Sequence, residues 1–326
     1  MKVRIGMIAA GVAFAPFFTQ LAHADTKLKF MLDYSVTGYH APFYLAKAKG
    51  WYKEAGLDVS ITPGKGSAGT IQNLAARTTD MAFADYVGLG RAVESGMPLI
   101  AVAAIVRDSL ACIVSFGEKP VRKPKDLEGK SLGGIPTGIA AYVLPAFYRA
   151  NGVDASKVKL ISYNYGATVP SLLSGQVDSI TGFYITEFNT VRNRMKNREV
   201  VVMRFVDHGI IAYSNGLIAN TNFLKENPKA VDAFVDVSLK ALRYSLEHID
   251  EAIGATAQNT ETSPVVLKQQ FELAVPFIVT DENKKLGWGN MVADHWKKTQ
   301  QLQIDAGIQK KPMGEEVLWT NRFTKN

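Results

Sequence analysis

The chain is poor in the residues that build metal-dependent or thiol-dependent active sites. Its one cysteine, Cys112, can form no internal disulfide. Cys112 sits in the apolar run 110–114 and reads as a small buried hydrophobe rather than a nucleophile. The histidines are His23, His40, His208, His248 and His295, and none stands four residues from another as a zinc helix requires. There is no G-x-S-x-G elbow and no Walker A loop. Beyond residue 24 no apolar run approaches the roughly 18 residues that cross a bilayer. The formal charge is +7, of which Lys2 and Arg4 supply two, leaving +5. Basic residues are scattered, with short concentrations at 119–130 and 192–198. No aromatics interleave with them, so nucleic acid is not an expected partner. These absences lead us to expect no catalytic residue, no metal and no cofactor.

The first 24 residues carry a basic start, an apolar core from Ile5 to Phe18, and Ala22-His23-Ala24 before Asp25. That is the pattern of a secretory signal peptide cleaved after Ala24, with a periplasmic destination. No cysteine sits at the cleavage site, so no lipid anchor is indicated. With 47% hydrophobic and 21% charged residues the remainder has an ordinary globular composition. Its length suffices for two domains.

Short apolar strands at 28–32, 57–61, 81–84 and 99–106 alternate with helical stretches at 42–55, 69–77 and 86–94. Such alternation predicts βαβ units and a parallel sheet. The run 110–116 leads out of this lobe. Strands at 160–163, 179–182 and 200–205 with helices at 139–150 and 169–174 predict a second sheet. The run 215–220 returns and is expected to pair with 110–116. Helices at 229–248, 263–277 and 288–306 follow and pack back on the first lobe. Trp288, Trp296 and Trp319 read as packing residues. The expected fold is α/β with two lobes, each a mixed, mostly parallel sheet flanked by helices, and a cleft at the hinge. Lobe 1 takes 25–113, lobe 2 takes 114–210, and 211–326 forms the hinge return and the helical rest of lobe 1.

Open α/β sheets hold ligands beyond the carboxyl ends of their strands. Asp33, Tyr34 and His40 occupy the loop after the first strand. The run Pro63–Gly69 follows the second; Ser67 there contacts a ligand or merely caps a tight turn. We read no nucleotide at this loop. Asp85 and Tyr86 follow the third strand, where Asp85 serves a ligand or caps the next helix. Thr137, with Gly138, opens the helix 139–150 and can offer N–H groups to an acceptor. Phe183, Tyr184 and Glu187 follow the strand 179–182. Glu187 is either a surface carboxylate or an acceptor for ring N–H and amino groups, with Tyr184 or Phe183 stacking.

The run Asp33-Tyr34 … Tyr39-His40 … Leu45-Ala46 … Lys49-Gly50-Trp51-Tyr52-Lys53-Glu54 … Gly56-Leu57-Asp58 resembles the thiamine-precursor (hydroxymethylpyrimidine) family of type II solute-binding proteins. The resemblance extends at lower density from about Leu28 to about Glu247. That family holds ABC-importer receptors and the fungal thiamine-pyrimidine synthase. It implies a type II periplasmic-binding fold, a monomer, a small-molecule ligand, and an inner-membrane permease with its ATPase as partner. It also places a carboxylate near Glu187. The synthase uses a lysine for pyridoxal phosphate and a histidine four residues later; the matching positions here are Ala84 and Gly88. Its cysteine-rich run matches 209–214, which has no cysteine. Without the amine no Schiff base forms. The resemblance therefore implies a receptor for a pyrimidine precursor, with a sulfonate, an aromatic carboxylate or riboflavin as alternative ligands and the synthase as a further one.

Overall fold

In the computed structural model, residues 25–136, 138–164 and 166–324 are described; the expected leader and Thr137 lie outside them. Lys27 and Lys29 alternate with buried Leu28 and Phe30 along β1 (Thr26–Met31), the period-two pattern of a strand with one covered face. The same alternation runs through β2 (Leu57–Thr62). In β3 (Met81–Asp85), β4 (Leu99–Ala104) and β10 (Asn215–Asn220) every residue is buried, as expected of strands covered on both faces. These five form one sheet in the order β2-β1-β3-β10-β4, with β10 antiparallel to both neighbours.

A second sheet is built from β5 (Ala111–Phe116), β6 (Ser131–Gly134), β7 (Lys159–Ser162), β8 (Ser179–Phe183) and β9 (Val200–Arg204). Its order is β7-β6-β8-β5-β9, and β5 runs antiparallel to β8 and β9. Each sheet is thus four parallel strands with one reversed strand second from an edge. The run 215–220 does not pair with 110–116 as expected. It enters the first sheet between β3 and β4, while β5 joins the second. Period and apolar content locate a strand but carry no information about its partner. The strand β6 had no sequence signal, because Ser-Leu-Gly-Gly holds a single apolar side chain. The last long helix starts at Ala293, later than the expected 288.

The chain crosses between the sheets at 105–110 and 205–214, and these segments meet. The carbonyl of Asn215 accepts from the N–H groups of Ile105 (3.2 Å) and Val106 (2.8 Å), and Val106 O accepts from Ser214 N–H (3.2 Å). Arg107, fully buried in the first crossing, donates to Asn290 O (2.5 Å) and to the Tyr213 hydroxyl (3.3 Å) and faces Glu282 at 3.2 Å. The crossings are thereby fastened to the C-terminal helices. Cys112 is buried in β5, and burial pushes its thiol up, away from reactivity. Trp296 stacks on Tyr86 (5.1 Å between centroids) and Trp319 (6.2 Å) within the first lobe. Among the described residues no helix is long and apolar enough to cross a membrane.

The turn Gly38–His40 lies against the helix Pro264–Ile278. Gly38 N–H donates to Gln270 Oε1 (2.9 Å). A methyl group on Gly38 would stand 2.7 Å from the backbone nitrogen of Phe271 and nearer still to Leu267 O. Neither backbone atom can yield without moving the helix. Gly38→Ala is expected to lower unfolding free energy by about 2 kcal/mol or more, the scale of an overpacked core. Urea titration of both proteins checks it; equal midpoints would remove this contact from the account.

Candidate functional site

The carboxyl ends of β1 and β2 face the ends of β6 and β8 across a cavity of about 790 Å³, counted to its open mouth. The first lobe lines it with Asp33, Tyr34, Tyr39, Lys65 and Ser67. The second contributes Ile135, Thr181, Gly182, Phe183, Thr186 and Glu187.

Asp33 is 3% exposed, so its charge stands where water cannot solvate it. Three side-chain donors replace water. Tyr39 O–H donates to Oδ2 at 2.5 Å, Asn215 Nδ2 to Oδ2 at 2.9 Å, and His40 Nε2 to Oδ1 at 2.8 Å. The direction at His40 follows from its other nitrogen. Nδ1 receives the backbone N–H of Thr37 (3.1 Å), which can only donate, so the ring proton is on Nε2. The loop is tied to its neighbour through the backbone: Gly66 N–H donates to Asp33 O (2.7 Å) and Gly64 N–H to Tyr34 O (3.0 Å). Burial holds the phenols of Tyr34 and Tyr39 well above their ordinary pKa. For Tyr34 the carboxylates of Glu187 and then Asp33 add to this; for Tyr39 the adjacent Asp33 does. Both stay neutral at physiological pH.

Gly64, Gly66 and Gly69 have the G-x-G-x-x-G spacing of a dinucleotide loop, with Asp85 about twenty residues on. The topology does not match that motif. Its two strands are neighbours, whereas here β1 separates β2 from β3. The glycines have other duties. A side chain on Gly64 would strike the backbone of Leu32 and Asp33 just after β1, Gly66 has φ +117°, and a side chain on Gly69 would meet nothing within 4 Å.

The expected site residues divide by position. Asp33, Tyr34, Ser67 and Glu187 are brought together on the cavity wall. His40 is fully buried behind Asp33 and acts through it. Asp85, 2% exposed, is the N-cap of the helix Tyr86–Glu94, accepting from Val87 N–H (2.8 Å) and the Ser214 hydroxyl (2.8 Å). It reaches the cavity only through Ser67, whose Oγ takes the Asp85 N–H at 3.1 Å. Tyr86 turns into the core; its hydroxyl donates to Ala103 O at 2.6 Å. Tyr184 stacks on Phe188 (4.9 Å) and lies 6.0 Å from Phe277, outside the lining. Thr137 lies outside the described residues; its neighbour Gly138 lines the cavity.

Sequence reasoning missed Lys65, Thr181 and Thr186 in the lining and Asn215 behind it. Lys65 and Thr186 adjoin residues already singled out, so a wider window around each strand end finds them. Asn215 carries no signal, since nothing in the sequence brings it beside Asp33. Among the described residues no cluster of three or more His, Cys, Asp or Glu is arranged to hold a metal ion. Ala84 is buried in β3, so that strand end offers no amine for a pyridoxal Schiff base.

Two sheets of identical strand order, two crossings and a cavity between the strand ends define the class: a two-lobe periplasmic-binding fold of type II. The periplasmic aliphatic sulphonate binding protein SsuA of Escherichia coli shares it, with a TM-score of 0.70 at 13% identity, covering 85% of this chain and 90% of that one. Within that class the chain belongs to the NMT1/THI5-like family, whose profile matches residues 37–252. The formylaminopyrimidine-binding protein of Halalkalibacterium halodurans is 27% identical over 305 residues, 90% of each chain. The riboflavin-binding protein RibY of Chloroflexus aurantiacus is 26% identical, over 87% of this chain and 82% of that one. Fungal 4-amino-5-hydroxymethyl-2-methylpyrimidine phosphate synthases also match, that of Aspergillus parasiticus at 23% identity.

Burial raises the Asp85 carboxyl from its ordinary 3.8 to about 6; its two hydrogen bonds pull the other way and the charge of Asp33 adds a smaller push upward. A folded-state pKa above the unfolded one means the folded chain holds the proton more tightly. The associated stability is full below about pH 4 and is lost as pH rises to about 6. Asp85→Asn keeps a capping oxygen and removes the titration. We expect the variant to lack about 2–3 kcal/mol of the wild-type fall in unfolding free energy between about pH 4 and pH 7. Urea titrations at both pH values test this; identical falls in the two proteins would refute it.

Proposed function

We propose that the chain is the solute-binding receptor of an ABC importer and takes a small heteroaromatic bearing N–H donors, such as a thiamine pyrimidine precursor. The observation that carries this is the set of groups converging on one cavity: two carboxylates, two neutral tyrosines and Phe183, drawn from both lobes. Carboxylate oxygens accept and cannot donate, so they suit amino and ring N–H groups and repel anions. Aromatic walls suit a flat ring. The likeness to a formylaminopyrimidine-binding protein over nine-tenths of both chains supports the same ligand class.

In this reading the lobes are the segment around 111–204 and the rest of the chain, hinged at the crossings. A ligand touching Asp33 and Tyr34 on one side and Glu187 on the other stabilises the closed form by its differential affinity. The closed form docks as a monomer on a permease driven by a separate ATPase, in the periplasm after removal of residues 1–24. We read no enzyme here, since Ala84 and Gly88 supply neither the amine nor the imidazole that the synthase chemistry needs. A second reading has its own support. Lys65 is the one cationic side chain of the cavity among the described residues, and with the helix start at Ser67 it favours an anionic solute. The relative that binds riboflavin favours a larger ring.

A thermal-shift screen of residues 25–326 with aminopyrimidines, riboflavin, alkanesulfonates and aromatic carboxylates separates these readings. Ligand at a hundred times its dissociation constant adds about 2.7 kcal/mol, readily seen as a shift. Stabilisation by aminopyrimidines is the expected result, and Glu187→Gln is expected to weaken that binding about tenfold or more. A response to sulfonates or carboxylates alone would discard the ligand class.

A further inference from the structure

The aim of Glu187 is set by two residues beside it. After β8 the backbone makes a five-residue π turn, Tyr184–Phe188, before the α-helix Asn189–Arg194. In an ordinary helix start a glutamate at the third position reaches back to the N-cap N–H. The π turn holds one extra residue, so the fourth position, Glu187, performs that reach. Its Oε2 accepts from Phe183 N–H at 2.7 Å and from the Thr186 hydroxyl at 2.6 Å. Its Oε1 accepts nothing from the described residues.

The reach is possible only because residue 182 has no side chain. A methyl group on Gly182 would stand 2.5 Å from Glu187 Cβ, closer to Cγ, and 2.7 Å from Oε2. The φ of Gly182 is not in the left-handed region, so the glycine is needed for space alone. Thr186, Gly182 and Glu187 all line the cavity.

We propose that Thr186 and Gly182 are positioning residues that fix Glu187 before ligand arrives and make the point of the wall at Glu187 selective for an amino group over a carbonyl of the same shape. The inference rests on the receptor reading above. Thr186 commits its hydroxyl proton to Oε2, which leaves its oxygen, like Oε1, an acceptor. Glu187 and Thr186 therefore present acceptors only. An –NH2 group is complementary to it, whereas a carbonyl oxygen meets unpaired lone pairs in a confined site. Holding the carboxylate in place beforehand also avoids the cost of ordering it on binding.

The test uses the mature chain, a 4-aminopyrimidine and the corresponding 4-pyrimidinone, with affinities from calorimetry. Thr186→Val is expected to weaken the amino ligand about tenfold and to lower the amino-to-oxo affinity ratio, while Thr186→Ser restores both to within about threefold. Gly182→Ala is expected to lower the ratio as well. A Thr186→Val protein with the wild-type ratio would overturn the proposal. A second readout needs no ligand. The Phe183 amide proton resonance, set by its bond to Oε2, is expected to move upfield in Thr186→Val and to return in Thr186→Ser. An unmoved resonance overturns the positioning role. Movement of the resonance without pyrimidine binding by the wild type upholds the positioning and refutes the ligand class instead.

Discussion

A carboxylate sealed from water must find its hydrogen bonds inside the protein, and the site follows from how Asp33 does so. Its three donors come from different parts of the chain: Tyr39 and His40 from its own loop, and Asn215 from the start of β10. Removing one of them leaves a buried charge under-satisfied, which costs more than an ordinary hydrogen bond contributes. The loop after β1 is thereby held to the returning strand. The same asparagine receives the backbone N–H groups of Ile105 and Val106. One residue thus supports the cavity wall through its side chain and joins the two crossings through its main chain.

The helix Pro264–Ile278 makes a second link between the lobes. One end of its contact surface takes Gly38, in the turn that carries Tyr39 and His40. Elsewhere Phe277 meets Tyr184 of the π turn, and Gln269 accepts from Asn193 (2.6 Å) in the helix that follows. The helix therefore touches both the loop that carries Tyr39 and His40 and the π turn of the second lobe. Tyr184, expected to stack on a ligand, instead belongs to that contact, with the Arg204 guanidinium 5.7 Å from its ring.

Much of the fold was legible because short apolar runs, helix periodicity and turn residues agree locally. The helices beginning at Tyr86 and Ile139 start where their N-terminal signals put them. What was not legible is long-range. No local feature says that Asn215–Asn220 slots between β3 and β4 rather than beside β5. At the site, strand ends marked the right loops, which is why Asp33, Tyr34, Ser67 and Glu187 meet at one cavity. Within a loop, direction is set by packing, and a tyrosine suits either outcome. Tyr86 finds Trp296 and a backbone carbonyl inside the lobe, while Tyr34 remains on the wall. The glycine-rich loop shows the converse: its spacing matched a motif that the strand order contradicts.

The place of β10 in the first sheet has a consequence for the order in which the molecule can assemble. The second sheet is drawn from one contiguous stretch, complete once Arg204 has been made. The first sheet has a gap between β3 and β4 until Asn220 emerges, more than a hundred residues after Leu99. Its helical cover comes later still. Pairings this distant in sequence carry a large loop-closure entropy and form slowly. The sheet of the lobe that begins the chain is therefore the last to be completed, and until it is, the edges of β3 and β4 that β10 covers stand unpaired and open to mispairing.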